Sequence, residues 1–233
     1  MPLERPLRLA PADVHVWFLQ FDRFPAPFAL DPGRLPTPAG RRLQRSFLLR
    51  LLLSAYLPRN SASLRLGRSA AGKPRLLQPD SDLSFSVSDS GPWLAIAIAR
   101  GIEPGLDIEV RSRRLRPEAL ARRWFPDNEA RAVLGADDPR AVFLERWTAR
   151  EAMIKARGAT LGSALAGLAL DPEQHDCPVQ VPEGWPGTDC WRLIRPGAPE
   201  GVIACVAASS IIGSVTSFEL LPPASQSPEQ ELV

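Results

Sequence analysis

Two carboxylates occupy alternate positions in the segment GLDIEV at residues 105–110. Asp107 and Glu109 lie two residues apart on a predicted strand, so both side chains point to one face while the apolar residues between them point to the core. Like charges side by side repel, and such a pair is stable when water solvates it or when a divalent cation neutralises it. The segment therefore predicts either a wet acidic face on an edge strand or a Mg²⁺ site.

A second polar pattern repeats at four-residue steps in RWTAREAMIKARG. Trp147, Glu151 and Lys155 fall on one face of a predicted helix at this spacing. A Glu and a Lys four residues apart also form the commonest exposed salt bridge on helices, and a tryptophan beside them is usually core. The helix alone therefore does not decide between a functional face and an ordinary salt bridge beside a core tryptophan.

Lysine is rare in this chain. Of its 28 basic residues only Lys73 and Lys155 are lysines. Because arginine is otherwise used, the two lysines indicate a need for a compact ammonium group at these positions. The alternative is that both remain by chance on solvated faces. Lys73 lies in the turn segment AAGKPRL, and the connection FSVSDSGPW contains Ser88 and Asp89. Taken singly, both segments are typical of turns.

The elements that position these residues follow from periodicity. Residues 14–21 predict a strand, and the apolar spacing over 40–57 predicts a helix. Candidate strands at 83–87, 93–99 and 105–110 are joined by short turn segments, which favours an antiparallel sheet.

The same order recurs after a linking helix around 118–124. A second helix over about 141–157 precedes possible strands at 167–170, 190–194, 202–208 and 215–220, with a repeat of roughly one hundred residues. We therefore predict an α+β fold, a pseudo-dimer of two similar halves, each a helix packed on a small antiparallel sheet, with a cleft between them. The halves are residues 1–110 and 111–221, and residues 222–233 are expected to be a disordered tail.

Composition excludes several classes of protein. A net charge of +2 on 233 residues is too small for bulk nucleic-acid or membrane binding. Three cysteines without CxxC spacing and two histidines cannot build a zinc cluster. The longest apolar stretch, residues 93–99, is too short to span a bilayer, so we expect a cytoplasmic protein.

Four motifs in order resemble the 4′-phosphopantetheinyl transferases of the surfactin-synthetase-activating type over about residues 41–206. They are GKP at Lys73 and Pro74, FSxSxS around Ser88, GxDIE, and WxxxExxxK. RWFPDNE at 123–129 is also similar to the family. Four ordered motifs are more specific than any one of them.

The resemblance implies transfer of 4′-phosphopantetheine from coenzyme A to a serine of an acyl or peptidyl carrier protein, in fatty acid or secondary metabolism, with release of 3′,5′-ADP by a monomeric enzyme. Mg²⁺, with Mn²⁺ as a substitute, would be held by Asp107, Glu109 and Glu151. Lys155 would neutralise phosphate charge, and Glu151, with Glu109 as a competitor, would accept the serine proton. Coenzyme A would be bound by Arg45, Lys73, Pro74, Ser88 and Asp89.

Two positions depart from the family pattern. Arg150 stands where the family usually has lysine, and Asp89 where it usually has a histidine that contacts the 3′-phosphate. We expect Asp89 to turn away and cap its turn or pair with an arginine, because an anion would repel the phosphate. The alternatives are an inactive module that binds coenzyme A or a carrier protein, and a metal-dependent nuclease.

Overall fold

The computed structural model describes residues 7–24, 37–57, 59–69, 72–174 and 177–222, which form an α+β fold as predicted. Among these residues no helix is both long and apolar enough to cross a membrane. The helices are α1 (Pro38–Tyr56), α2 (Pro117–Trp124), α3 (Asp127–Leu134), α4 (Pro139–Arg157) and α5 (Leu161–Ala164). The strands are β1 (Val14–Gln20), β2 (Arg65–Arg68), β3 (Pro74–Gln78), β4 (Leu83–Ser90), β5 (Trp93–Arg100), β6 (Gly105–Val110), β7 (Ala169–Leu170), β8 (Pro178–Gln180), β9 (Arg192–Ile194), β10 (Val202–Ala208) and β11 (Val215–Glu219).

The first sheet has four strands in the order β11-β1-β5-β4. Strand β5 is an apolar run buried on both faces, which suits its central position. It lies antiparallel to β1 and β4, whereas β11 runs parallel to β1. Helix α1 covers one face through Leu48, Leu52 and Leu53, in one cluster with Trp17 and Ile96.

The second sheet has three antiparallel strands in the order β6-β10-β9. Leu106, Ile108 and Val206 from its inner face pack against Val16 and Ala97 of the first sheet. Helix α4 covers the outer face, where its apolar residues cluster with those of β9 and β10. The layers are therefore α1, first sheet, second sheet and α4.

Helix α4 is fixed at both ends and along its length. The Asp138 side chain accepts a hydrogen bond from the Ala141 N–H at 3.0 Å, and Gly158 ends the helix in the left-handed region with φ of 65°. Arg146 and Arg150 form ion pairs with Glu129 of α3, and all three are fully buried. Removal of one partner from such a cluster commonly costs about 3–5 kcal/mol, because a buried charge is left unpaired.

Two predicted strand pairings are wrong. Strand β6 follows β5 in the sequence but pairs with β10 in the other sheet. Strand β11 forms where a strand was predicted, yet it extends the first sheet beside β1. Paired strands therefore cross the proposed boundary at residue 110, and the division into 1–110 and 111–221 stays a prediction.

Four features were not predicted: the β2–β3 hairpin, helices α3 and α5, and strand β8. The hairpin contains the GKP segment, which the sequence identified only as a turn. Apart from residue 222, the predicted tail lies outside the described residues.

Candidate active site

Asp107 lies on β6 with a side chain that is only 7% exposed. Its Oδ1 accepts hydrogen bonds from Ser88 Oγ and from Lys155 Nζ, both at 2.7 Å. Three separate elements, β4, β6 and α4, thus meet at this carboxylate. The alternative of a wet acidic face is wrong, because β4 and α4 cover it.

Glu109 is buried beside Asp107. It accepts a hydrogen bond from Ser90 Oγ at 2.7 Å and forms an ion pair with Arg113. Burial raises the pKa of Glu109, and repulsion by Asp107 adds to this, while the bonds from Ser90 and Arg113 oppose it. The protein therefore disfavours the ionised form of Glu109 relative to a glutamate in water.

Gly105 explains how β6 can bring its carboxylates so close to α4. A Cβ atom added at Gly105 would lie 1.8 Å from the carbonyl oxygen of Ala152 and 2.5 Å from the backbone nitrogen of Ala156. Both atoms belong to the rigid helix backbone, so only glycine fits at this crossing. The glycine of the GxDIE motif thus sets the distance between strand and helix.

Glu151 and Lys155 lie on α4, four residues apart, and face β6. Lys155 forms its ion pair with Asp107. Burial is the main cause that raises the pKa of Glu151 to about 7, repulsion by Asp107 and Glu109 contributes, and the attraction of Lys155 opposes it. The three carboxylates therefore repel one another in a partly buried space. Trp147 lies one turn before Glu151 on α4 and stacks on Phe143, with ring centroids 5.7 Å apart, as a core residue would.

A cavity of about 570 Å³ opens beside this cluster, between α1, the β2–β3 hairpin, β4 and the end of α4. Among the described residues that line it, none is acidic and five are cationic: Arg42, Arg45, Arg68, Lys73 and Lys155. Pro74 also lines it. Of the residues predicted to bind coenzyme A, Arg45, Lys73 and Pro74 face the cavity, whereas Ser88 and Asp89 are not among its lining residues.

Two of the cations keep acidic partners at the rim. Arg45 pairs with Asp89 at 3.1 Å, which is one of the two arrangements expected for this aspartate. Lys73 Nζ donates to Glu103 Oε2 at 2.7 Å and to the Pro104 carbonyl at 3.1 Å. Lys73 therefore also ties the β2–β3 hairpin to the loop that precedes β6.

Several residues of the site were assigned no role from the sequence. Ser90 and Arg113 contact Glu109, and Glu103 contacts Lys73. Ser90 belongs to the FSxSxS motif, and the alternation of serines in that motif is the signal that could have given it a role. Arg150, which stands where the family has lysine, does not reach the cavity: it is buried against Glu129, with its guanidinium 4.1 Å from the Phe125 ring centroid.

A cationic cavity beside buried carboxylates is typical of enzymes that act on phosphate-containing substrates. A family model described as the 4′-phosphopantetheinyl transferase superfamily matches residues 103–186. The 4′-phosphopantetheinyl transferase AcpT of Escherichia coli (strain K12) is 33% identical over 153 residues, 63% of this chain and 73% of AcpT. The 4′-phosphopantetheinyl transferase HetI of Nostoc sp. is 24% identical over 231 residues, 90% of this chain and 93% of HetI.

The protein slr0495 of Synechocystis sp. is 27% identical over 161 residues, which are 68% of this chain and 65% of slr0495, just under two thirds of its length. The chain belongs to the 4′-phosphopantetheinyl transferase superfamily, a family of enzymes.

Proposed function

We propose that the protein transfers the 4′-phosphopantetheine group of coenzyme A to a serine of an acyl or peptidyl carrier protein and releases 3′,5′-ADP. The observation that carries this proposal is the position of Lys155, which lines the cationic cavity and bonds to Asp107. The donor site and the carboxylates thus meet at one side chain. Within the family, the ordered motifs favour the surfactin-synthetase-activating type.

The phosphates of coenzyme A are assigned to the cationic cavity. Preorganised cations stabilise phosphate charge without reorganising at the moment of reaction. Arg45 and Lys73 keep Asp89 and Glu103 as partners, so a bound phosphate competes with these carboxylates. Arg42 and Arg68 add positive charge to the same wall.

Mg²⁺ fits the chemistry of the carboxylate cluster. Among the described residues no set of three or more His, Cys, Asp and Glu side chains forms a ready-made cage. Mg²⁺ is usually held by one or two carboxylates together with waters and substrate phosphates, so a complete protein cage is not required. The mutual repulsion of Asp107, Glu109 and Glu151, expressed in the raised pKa of Glu151, is relieved by a divalent cation. When bound, Mg²⁺ or Mn²⁺ neutralises charge on the pyrophosphate.

Glu151 is the proposed acceptor of the serine proton. Burial, the main cause that raises the pKa of Glu151, makes its carboxylate a stronger proton acceptor than a glutamate in water. The serine oxygen forms a bond to the β-phosphate, the bond from that phosphate to 3′,5′-ADP breaks, and the proton passes to Glu151 directly or through water. Glu109, whose pKa is also raised, is the competing base.

The finer architecture belongs to the same proposal. Each outer helix packs on its own small sheet, and the two sheets lie face to face, which supports a pseudo-dimer of two similar halves that acts as a monomer. Among the described residues Cys177, Cys190 and Cys205 form no disulfide, in keeping with the proposed cytoplasmic location.

The acceptor surface is assigned to the segment after β6. Residues 111–123 contain six exposed arginines and one glutamate, although the whole chain carries a net charge of only +2. Arg113 of this segment contacts Glu109, so the segment borders the carboxylates. A carrier protein with an acidic surface around its serine would be attracted to this position.

The test is a transfer assay with coenzyme A, Mg²⁺ and a panel of apo carrier proteins. Intact mass should rise by one phosphopantetheinyl group on each true acceptor, and a chelator should abolish the increase. Binding of coenzyme A without any transfer would instead identify an inactive binding module.

Substitutions then test the carboxylates. Asp107→Ala and Glu151→Ala should abolish transfer while the protein stays folded, because each removes a group that faces the transferring phosphate. Glu200→Ala removes an exposed carboxylate elsewhere and should leave the rate unchanged. Full activity of either site variant in chelator would exclude the metal assignment.

A further inference from the structure

Three serines at alternate positions attach β4 to β6. The hydroxyl oxygens of Ser86, Ser88 and Ser90 accept hydrogen bonds from the backbone N–H groups of Leu106, Ile108 and Val110, at 2.9, 3.3 and 3.1 Å. Side-chain hydroxyls therefore take the place of a backbone ladder between these two strands. All three serines are buried.

Two of these hydroxyls have a second partner. Ser88 donates to Asp107 Oδ1 and Ser90 donates to Glu109 Oε2, each at 2.7 Å. The direction of these bonds is fixed, because a backbone N–H can only donate and so leaves the serine proton for the carboxylate. Ser88 Oγ also accepts a hydrogen bond from the ammonium of Lys155 at 3.0 Å. Its own proton is therefore again left for the carboxylate of Asp107.

Ser86 has the same backbone contact as Ser88 and Ser90 but lacks their carboxylate partner. It binds the N–H of Leu106 as the other two serines bind their strand partners, but the residue before Leu106 is Gly105, which has no side chain. Of these three serines of β4, two thus bind both backbone and carboxylate, and one binds backbone alone.

We infer that Ser88 and Ser90 are positioning residues for the transfer reaction, which orient the carboxylates of Asp107 and Glu109 towards the metal and phosphate. Each bond uses one of the roughly four acceptor positions of a carboxylate and leaves the rest for ligands. The inference rests on the proposed function and gives Ser88 a role besides its predicted contact with coenzyme A. Partners that orient a metal-binding carboxylate commonly change metal affinity by about 10–100-fold when removed.

The experiment compares Ser90→Ala with Ser86→Ala. The probe is Mn²⁺ alone, without coenzyme A, and its dissociation constant is measured by electron paramagnetic resonance. Ser90→Ala should weaken Mn²⁺ binding about tenfold or more, and Ser90→Thr, which keeps the hydroxyl, should recover most of the affinity. Ser86 also lines the cationic cavity but hydrogen-bonds to no carboxylate of the described residues, so Ser86→Ala should bind Mn²⁺ alone, without coenzyme A, as tightly as the wild type. Equal losses in both alanine variants would show a merely structural role and overturn the inference.

A second measurement does not depend on the metal. Crystal structures of the two alanine variants without metal should show the Glu109 carboxylate displaced in Ser90→Ala and unmoved in Ser86→Ala. If Ser90→Ala does not fold, Ser88→Ala with Asp107 as the reporter provides the same comparison. A wild-type protein that neither binds Mn²⁺ nor transfers phosphopantetheine would refute the proposed function, whereas an unmoved carboxylate in both serine variants would refute the inference itself.

Discussion

Lys155 contacts both parts of the active site through one ammonium group. It bonds to Asp107 and Ser88 and also lines the cationic cavity. We expect Lys155→Ala to lower the turnover rate by about a hundredfold or more, because charge next to the transferring phosphate is lost. Lys155→Arg should lose less, since it keeps the charge but not the compact shape. Single-turnover rates measure both effects, and a kinetically silent Lys155→Ala would reduce the residue to a structural ion pair.

Asp89 weakens the attraction of its neighbourhood for anions. Asp89 forms an ion pair with Arg45 at 3.1 Å, and the two side chains are 34% and 39% exposed. Such a pair contributes at most about 1 kcal/mol to stability, so its loss should not harm the fold. The carboxylate would nevertheless oppose a nearby 3′-phosphate by about 1 kcal/mol.

Asp89→His should therefore raise the preference for coenzyme A over dephospho-coenzyme A several-fold. The ratio of the two kcat/KM values measures this preference. Asp89→Asn is the matched control, because it removes the charge without adding a cation, and should give an intermediate ratio. If the wild type already has the preference of the histidine variant, Asp89 does not affect recognition of the 3′-phosphate.

At the residue scale, spacing identified the carboxylates but not their partners. The alternation in GLDIEV placed Asp107 and Glu109 on one face, and the structure has them there. Ser90 and Glu103 were assigned no role because a serine or a glutamate in a turn-rich segment has many equally good local explanations. Only the approach of β6 to β4 gives these side chains their contacts.

At the scale of elements, Gly105 keeps β6 against α4. Gly105→Ala should destabilise the protein by at least about 2 kcal/mol, because the added methyl group would overlap the helix backbone. Transfer should fall more than the loss of folded protein explains, since Asp107 would move away from Lys155. Urea unfolding and the transfer assay measure the two effects.

Gly197→Ala is the control for this change. A Cβ atom there meets no heavy atom within 4 Å, so its stability should stay within about 0.5 kcal/mol of the wild type. Equal stability of the two variants would show that the close crossing of strand and helix is not needed.

The elements themselves were predictable where periodicity was strong. The apolar run of β5 and the amphipathic pattern of α1 and α4 correspond closely to the observed bounds. The β2–β3 hairpin was missed because its strands are short and largely exposed, and RLGR and PRLLQ lack the β-branched residues that indicate strands.

The whole molecule distributes its charge unevenly. The basic segment at 111–123 lies beside the carboxylates, so charge reversal in it should weaken capture of an acidic acceptor. Arg116→Glu should raise KM for the carrier protein several-fold and reduce the dependence of kcat/KM on salt. The change should not harm α2, because an acidic residue is favourable at a helix N-terminus.

Arg192→Glu reverses the same charge on β9 and serves as the matched control. Its kcat/KM should follow the salt dependence of the wild type. An equal effect of both substitutions would indicate a response to net charge rather than a docking position.

Topology at the whole-molecule scale could not be predicted from local patterns. The pairing of β6 with β10 and of β1 with β11 joins segments that are far apart in the sequence. No turn residue specifies such a partner, and the preference arises only when the two sheets pack face to face. Burial of the two sheets against each other therefore determines the layered arrangement, whereas local sequence patterns determine where the individual strands form.

The parallel pair of β1 and β11 has a consequence for the order of synthesis on the ribosome. Val14 emerges early and Val215 late, yet they are partners in one sheet. Until β11 is translated, one edge of β1 has no strand beside it, and an unpaired apolar edge invites association with other chains. A nascent chain interrupted before residue 215 should therefore be prone to aggregation, and translation of β11 closes that edge.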